Sequence, residues 1–273
     1  MDNNSILNKT TELPSPYRDL DKLRTEEIVQ HMNEEDQQVA LKVKEVLPAI
    51  ISLIDVVAEK LSQEGRLFYV GAGTSGRLGM LDASEWAPTY GVPETLVNSL
   101  MAGGHAALRF GIEDAEDSYE EGWNDLQQYN ISGKDFVIGI AASGTTPYVV
   151  GALMQCRKNG IATGCIVCNS QSTVASYADY PVEVIVGPEF VTGSTRMKCG
   201  TAQKMVLNII STTVMIKLGR VQDNRMVHMQ IGNKKLAERG AKMLMEKMGI
   251  TDYEEAKSLL LKYGSVYAAL KNK

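Results

Sequence analysis

The stretch Arg66-Leu-Phe-Tyr-Val-Gly71-Ala-Gly73-Thr-Ser75-Gly76 joins five mostly apolar residues to a loop of Gly, Ser and Thr. A short apolar run ending in such a loop reads as a buried strand, a tight turn and the start of a helix. The same pattern recurs along the chain. Residues 96–100 run into Met101-Ala-Gly-Gly104, and residues 135–140 into Ala141-Ala-Ser-Gly-Thr-Thr-Pro147. Residues 160–167 end at Cys168-Asn169, and residues 180–186 at Gly187-Pro188. Helical spacing separates these runs, for example over residues 148–158. Alternating strands and helices with continuous apolar strands predict a parallel sheet covered on both faces. Such sheets bind ligands at the carboxyl ends of their strands, where the Gly/Ser/Thr loops lie.

Outward from this centre, the N-terminal stretch reads as an arm kept extended by Pro14 and Pro16. Thr25 is expected to cap a first helix, with Glu26 and Glu27 in its first turn. A full capping box is not expected, because Ile28 stands where that motif needs Glu or Gln. Helical spacing resumes from Val39, the Glu34-Glu35-Asp36 cluster is expected to separate two helices, and Pro48 either kinks the second or begins a new one. On the other side of the sheet, residues 201–218 read as a helix apolar nearly all round, expected to be buried in the domain or at a subunit contact. Beyond Asp223 the chain is charged and helical. The expected division is an arm over 1–56, a central domain over 57–220 and a short helical tail over 221–273.

The chain has 273 residues, 44% hydrophobic and 22% charged, with a formal net charge of −5. It is long enough to bury a core. Its mild acidity argues against nucleic acid or an anionic membrane surface as the main partner. The opening residues lack the apolar core of a signal peptide, and no run approaches the roughly 18 apolar residues of a membrane span. The four cysteines lie in apolar or Gly-rich stretches, consistent with a reducing cytoplasmic compartment. Cys165-x-x-Cys168 falls on a strand and its end, so it reads as core packing and not a redox motif.

Gly71-x-Gly73-x-x-Gly76 matches the dinucleotide fingerprint. The fingerprint also needs an acid about 20 residues on, at the end of the second strand. That strand ends in Leu100-Met101-Ala102, with no acid. Arg77-Leu78 after Gly76 excludes a P-loop, which needs Gly-Lys-Ser/Thr. What remains is Thr74 and Ser75 at a helix N-terminus, which favours an anion. Ser143, Thr145 and Thr146 form a second such loop. Val191-Thr-Gly-Ser-Thr-Arg-Met-Lys198 forms a third, in which Arg196 and Lys198 are candidate anion ligands. Two hydroxyl loops at neighbouring strand ends fit one small phosphate better than two independent helix caps. Metal ligation is not expected, for no His, Cys and acid grouping has ligand spacing.

Together these residues resemble a known family. Gly71-Ala-Gly-Thr-Ser-Gly-Arg-Leu-Gly79, Asp82-Ala-Ser-Glu85, Glu113-Asp-Ala-Glu116-Asp117, Ala141-Ala-Ser-Gly-Thr-Thr-Pro-Tyr148 and Val191-Thr-Gly-Ser-Thr-Arg-Met-Lys198 are similar to the motifs of N-acetylmuramic acid 6-phosphate etherases. The resemblance runs from about residue 20 to about residue 224. It implies an α/β sugar isomerase (SIS) fold: a three-layer, doubly wound, five-stranded parallel sheet with a helical N-terminal arm and a short helical C-terminal tail, used as a homodimer. The implied reaction cleaves the D-lactyl ether of N-acetylmuramic acid 6-phosphate with water, in the cytoplasm, without metal or organic cofactor. By the family's pattern Glu85 is the general acid and Glu116 the general base. Thr74, Ser75, Ser143, Thr145, Thr146, Ser194, Thr195, Arg196 and Lys198 are the implied substrate-binding residues. Trp86, where relatives often have a smaller residue, is expected to narrow the pocket and to raise the pKa of Glu85. The tail is expected to be shorter than in many relatives. Two alternatives stay open: a non-catalytic sugar-phosphate-binding regulator related to the glucokinase regulatory protein, and a sugar-phosphate isomerase on the same fold.

Overall fold

In the computed structural model, which describes residues 9–112 and 114–272, five strands form one parallel sheet. They are β1 (Leu67–Gly71), β2 (Val97–Met101), β3 (Phe136–Ala141), β4 (Ala162–Val167) and β5 (Tyr180–Glu183), in the order β2-β1-β3-β4-β5. In register, Val70 pairs with Leu100 on one side and Gly139 on the other. The sheet therefore starts at β1 and winds outward in both directions, as the strand–helix alternation predicts.

The helices are α1 (Thr25–Glu45), α2 (Leu47–Ser62), α3 (Gly73–Tyr90), α4 (Glu121–Gln127), α5 (Pro147–Lys158), α6 (Thr173–Ser176), α7 (Lys198–Lys217), α8 (Lys234–Met248), α9 (Tyr253–Tyr263) and α10 (Val266–Lys271). They fall into two compact units, residues 1–83 with 97–210, and residues 84–96 with 211–273. Residues 84–96, central in the sequence division, thus group with the tail.

The first unit holds the sheet. Alternate residues along each strand face opposite ways. Phe68, Val70, Val137, Cys165 and Val167 join α5 residues Val149, Leu153 and Cys156 in one fully buried core. Gly139 lies under α5, where an added Cβ would come within 2.6 Å of Val149 Cγ1. On the other face, Gly79 of α3 rests on Tyr69, and Gly164 of β4 lies beneath Leu53 of α2. Both faces are thus covered, giving the expected three layers.

Three local expectations are corrected. Helix α1 begins at Thr25, so Arg24 is its cap residue, and the Glu27 carboxylate accepts the Arg24 backbone N–H at 2.9 Å. The helix start lies one residue earlier than expected, and Glu27 then occupies the reciprocal position that Ile28 seemed to deny. Glu34, Glu35 and Asp36 lie inside α1 and do not divide it. The break falls at Val46, and Pro48 sits in the first turn of α2, where its missing N–H has no helical partner to lose. The Cys165 thiol is buried, which pushes its pKa up to about 12, in keeping with a core role.

The second unit is helical. Leu244, Leu260, Val266 and Ala269 are buried together with Val227 and Met229. The Asn233, Asp252 and Ser265 side chains accept backbone N–H groups at the starts of α8, α9 and α10. Each such cap contributes about 1 kcal/mol. No described helix is long and apolar enough to cross a membrane.

Candidate functional site

The three hydroxyl loops lie at the carboxyl ends of the strands, and separate hydrogen bonds fix each of them. At the first, β1 passes into α3 with almost no connecting chain. A Cβ on Gly71 would lie 2.8 Å from the Gly76 backbone nitrogen, so the fingerprint glycines serve close strand–helix packing. Ser75 is buried and donates its hydroxyl to Gln203 Oε1 of α7 at 2.9 Å. Thr74 lies beside Gly200, where an added Cβ would meet its Cγ2 at 3.4 Å. The first loop and the start of α7 are therefore one assembly.

At the second loop, Gly144 takes a left-handed φ of 68°, and its N–H bonds the Ala141 carbonyl at 3.1 Å. A side chain there would also collide with Ser172, 2.3 Å away. Ser143 Oγ accepts the Thr145 N–H at 3.3 Å and the Thr145 hydroxyl at 3.2 Å. Thr146 is the cap residue of α5, yet its side chain makes no capping hydrogen bond. Its hydroxyl is thus not explained as a helix cap, which was the plain alternative to ligand binding.

The third loop spans residues 190–197. Buried Glu189 holds its far end by accepting the N–H groups of Lys198 and Cys199, each at 2.9 Å, at the N-terminus of α7. A carboxylate suits the positive end of a helix. Within the loop, Ser194 N–H bonds Val191 O at 2.9 Å and Met197 N–H bonds Ser194 O at 3.1 Å. Ser194 and Thr195 are half-buried and Arg196 is exposed. Lys198 differs from its expected role. It is 4% exposed and its ammonium is ion-paired with Glu35 of α1, which also accepts the Tyr17 hydroxyl. A buried lysine needs such a partner, and here that partner is the protein's own acid.

Glu116 lines a cavity of about 250 Å³ with Gly73, Arg77, Met101, Phe110 and Ile112. Its carbonyl accepts the Tyr148 N–H at 3.0 Å, which ties its segment to the start of α5 and hence to the second loop. Arg77, which sequence reasoning did not single out, donates to the carbonyls of Ala107 at 2.7 Å and Leu108 at 3.2 Å. It braces the turn between β2 and the Glu116 segment. Glu113 of the same motif lies outside the described residues.

Glu85 is exposed on α3, in the second unit. Asp82, one turn earlier, is buried and its carboxylate accepts the Tyr69 hydroxyl at 2.9 Å. Trp86 follows Glu85 on α3. It is 2% exposed, and adjacent helical residues point in different directions, so the indole packs inward while the Glu85 carboxyl faces outward. Trp86 belongs to the core.

Comparison with known proteins agrees with this architecture. The description "glucokinase regulatory protein N-terminal SIS domain" matches residues 49–157, and "SIS domain" matches residues 119–213. Among solved structures, a phosphoheptose isomerase from Francisella tularensis superposes with a TM-score of 0.57 at 12% identity, covering 71% of this chain and 100% of that one. One from Neisseria gonorrhoeae gives 0.52 at 13% identity, with 70% and 98% covered. These likenesses show the SIS fold. Sequence similarity is much higher to N-acetylmuramic acid 6-phosphate etherases. The protein of Bacteroides thetaiotaomicron is 56% identical over 262 residues, 96% of this chain and 94% of its own length. That of Porphyromonas gingivalis is 55% identical over 264 residues, 97% and 96%. That of Cronobacter sakazakii is 50% identical over 242 residues, 89% and 81%. Similarity of this degree along nearly the whole chain shows that it belongs to the N-acetylmuramic acid 6-phosphate etherase family.

Proposed function

We propose that this chain cleaves the D-lactyl ether of N-acetylmuramic acid 6-phosphate, giving N-acetylglucosamine 6-phosphate and D-lactate. The observation that carries the proposal is identity above 50% to etherases over nearly the full chain. In the open-chain sugar the C1 aldehyde acidifies the C2 proton. Glu116 removes that proton as general base. The C3–O bond then breaks, and Glu85 protonates the departing lactyl oxygen as general acid. Water then adds to C3 of the unsaturated aldehyde, giving one proton to the Glu85 carboxylate, while protonated Glu116 returns its proton to C2, so both carboxyl groups regain their starting states. Two carboxyl groups in opposite protonation states suffice for each half-reaction, and this proposed sequence calls on no cofactor.

In this reading residues 57–220 hold the sugar phosphate, between the arm (1–56) and the tail (221–273). Ser143, Thr145 and Thr146 bind the phosphate, with Thr74 and Ser75 at the neighbouring strand end. Ser194, Thr195 and Arg196 face the remaining anionic or hydroxyl groups. Lys198 acts through the ion pair with Glu35, holding α1 against the third loop. The enzyme works as a homodimer in the cytoplasm. The test is incubation with N-acetylmuramic acid 6-phosphate and assay of D-lactate. Wild-type protein releases it, and Glu85→Gln or Glu116→Gln lowers the rate by about 10²- to 10⁴-fold. Bound sugar phosphate without lactate release would indicate a regulator instead. Conversion to an isomeric sugar phosphate would indicate an isomerase.

A further inference from the structure

We infer that the N-terminal arm belongs to the substrate site, and that Lys9 is a phosphate-binding residue reaching the second loop. The arm is pinned at two points inside the first unit. Thr11 is fully buried. Its N–H donates to Asn169 Oδ1 at 3.2 Å, and its hydroxyl accepts Asn169 Nδ2 at 2.8 Å. The same Nδ2 donates to the Ser143 carbonyl at 3.1 Å. Asn169 therefore locks the arm and the second loop to each other. Farther along, the Ser15 N–H bonds Thr192 Oγ1 of the third loop at 2.9 Å, and the Tyr17 ring packs against Phe190 at 4.9 Å. The arm is thus fixed across two of the three hydroxyl loops.

This anchoring delivers Lys9. Its Nζ donates to Thr145 Oγ1 at 2.9 Å. A lysine ammonium carries three donors, and among the described residues no carboxylate lies in ion-pair range of this one. Lys9 lines a cavity of about 310 Å³ with Ser143, Thr145, Asn169, Ser170 and Ser172, and none of its lining residues is acidic. A cavity bounded by one cation, several hydroxyls and an amide is a site for an anion. A charge-assisted hydrogen bond to a phosphate is roughly twice as strong as one to a neutral hydroxyl, so a bound phosphate oxygen displaces Thr145 as the preferred partner of the ammonium. Lys9 also gives the second loop a cation, the element that its own hydroxyls lack and that Lys198, paired with Glu35, does not provide.

The inference rests on the reading that residues 143–146 hold the sugar 6-phosphate. Its test uses binding, so it does not depend on turnover. Calorimetry measures N-acetylglucosamine 6-phosphate on the full-length wild type, Lys9→Met and Lys9→Arg, with inorganic phosphate as a phosphate-only competitor. Lys9→Met weakens both ligands by about 10- to 100-fold, the worth of a charged hydrogen bond, and Lys9→Arg retains most of the affinity. Equal affinity in Lys9→Met and wild type overturns the inference. So does a Lys9→Arg loss as large as that of Lys9→Met, because packing and not charge would then be the cause. Absence of lactate release by wild type, with binding still dependent on Lys9, would refute the etherase reading and leave this one standing.

Discussion

Glu189→Ala is the most informative substitution for the site's architecture. The carboxylate is fully buried, and its two oxygens accept the first N–H groups of α7, on Lys198 and Cys199, at 2.9 Å each. Both donors belong to buried residues, out of reach of bulk water. Each orphaned N–H costs about 1–3 kcal/mol, and the lost carboxylate–dipole attraction adds up to about 2 kcal/mol. Burying the charge in the first place carries an opposing desolvation penalty of several kcal/mol. The balance is a loss of about 3–4 kcal/mol for alanine. Glutamine keeps one acceptor without the charge and loses about 1–2 kcal/mol. Urea denaturation of wild type, Glu189→Ala and Glu189→Gln measures these values. Because Glu189 holds the far end of the loop bearing Ser194 and Thr195, the alanine variant also shows a KM for the muramic acid phosphate raised several-fold at a temperature where it is still folded. An alanine variant within about 0.5 kcal/mol of wild type would refute the reasoning, since such a change is what an ordinary surface substitution gives.

Asp135 provides a stability test remote from catalysis. Burial opposes its charge, yet hydrogen bonds from Arg66 and Ser132 and the Arg66 guanidinium outweigh it and hold the carboxyl below its ordinary range. Its stabilisation is therefore present above the unfolded pKa of about 3.9 and is lost as pH falls through the lower folded value. Asp135→Asn flattens that acid limb in denaturation curves taken at pH 2 to 5, and leaves lactate release at neutral pH within about twofold of wild type for the folded protein; an unchanged acid limb would exclude this role. Gln203 tests the first loop. It is 1% exposed and accepts the Ser75 hydroxyl, while its Nε2 has no partner among the described residues. Gln203→Leu removes that unpaired donor, so stability changes by less than about 1 kcal/mol. It also frees the Ser75 hydroxyl from its fixed orientation, and N-acetylglucosamine 6-phosphate binding weakens about fivefold, the worth of one ordinary hydrogen bond. Unchanged binding by calorimetry would remove Ser75 from the phosphate site.

Periodicity and loop composition were enough to read the sheet, because buried parallel strands are nearly continuous apolar runs and need no partner to be recognised. All five observed strands overlap the runs beginning near Leu67, Val97, Phe136, Ala162 and Tyr180. Boundaries were less secure. Helix α1 starts one residue before the position its composition suggests, and the acidic cluster at residues 34–36 is helical, since a charged stretch on an exposed helix face resembles a linker in composition. The hydroxyl loops were readable as ligand loops from Gly, Ser and Thr at strand ends. Their supports were not. Asn169, Gln203, Glu189 and Arg77 look like unremarkable polar residues in the sequence, and their partners lie many positions away, as with Thr11 and Asn169.

From sequence alone, then, came the order of elements, the strand ends that gather the hydroxyls, and a resemblance specific enough to nominate two glutamates. Each of these is written in local pattern or in long ordered motifs. The fate of individual charges was not. Lys198 and Lys9 are both lysines close to hydroxyl-rich segments, and nothing local distinguishes them. Folding buries Lys198 against Glu35 of a distant helix, while the arm carries Lys9 to Thr145 with no acid among the residues lining its cavity. A charge's function depends on which opposite charge the fold brings within a few ångströms, and that pairing is a long-range property of the packed chain.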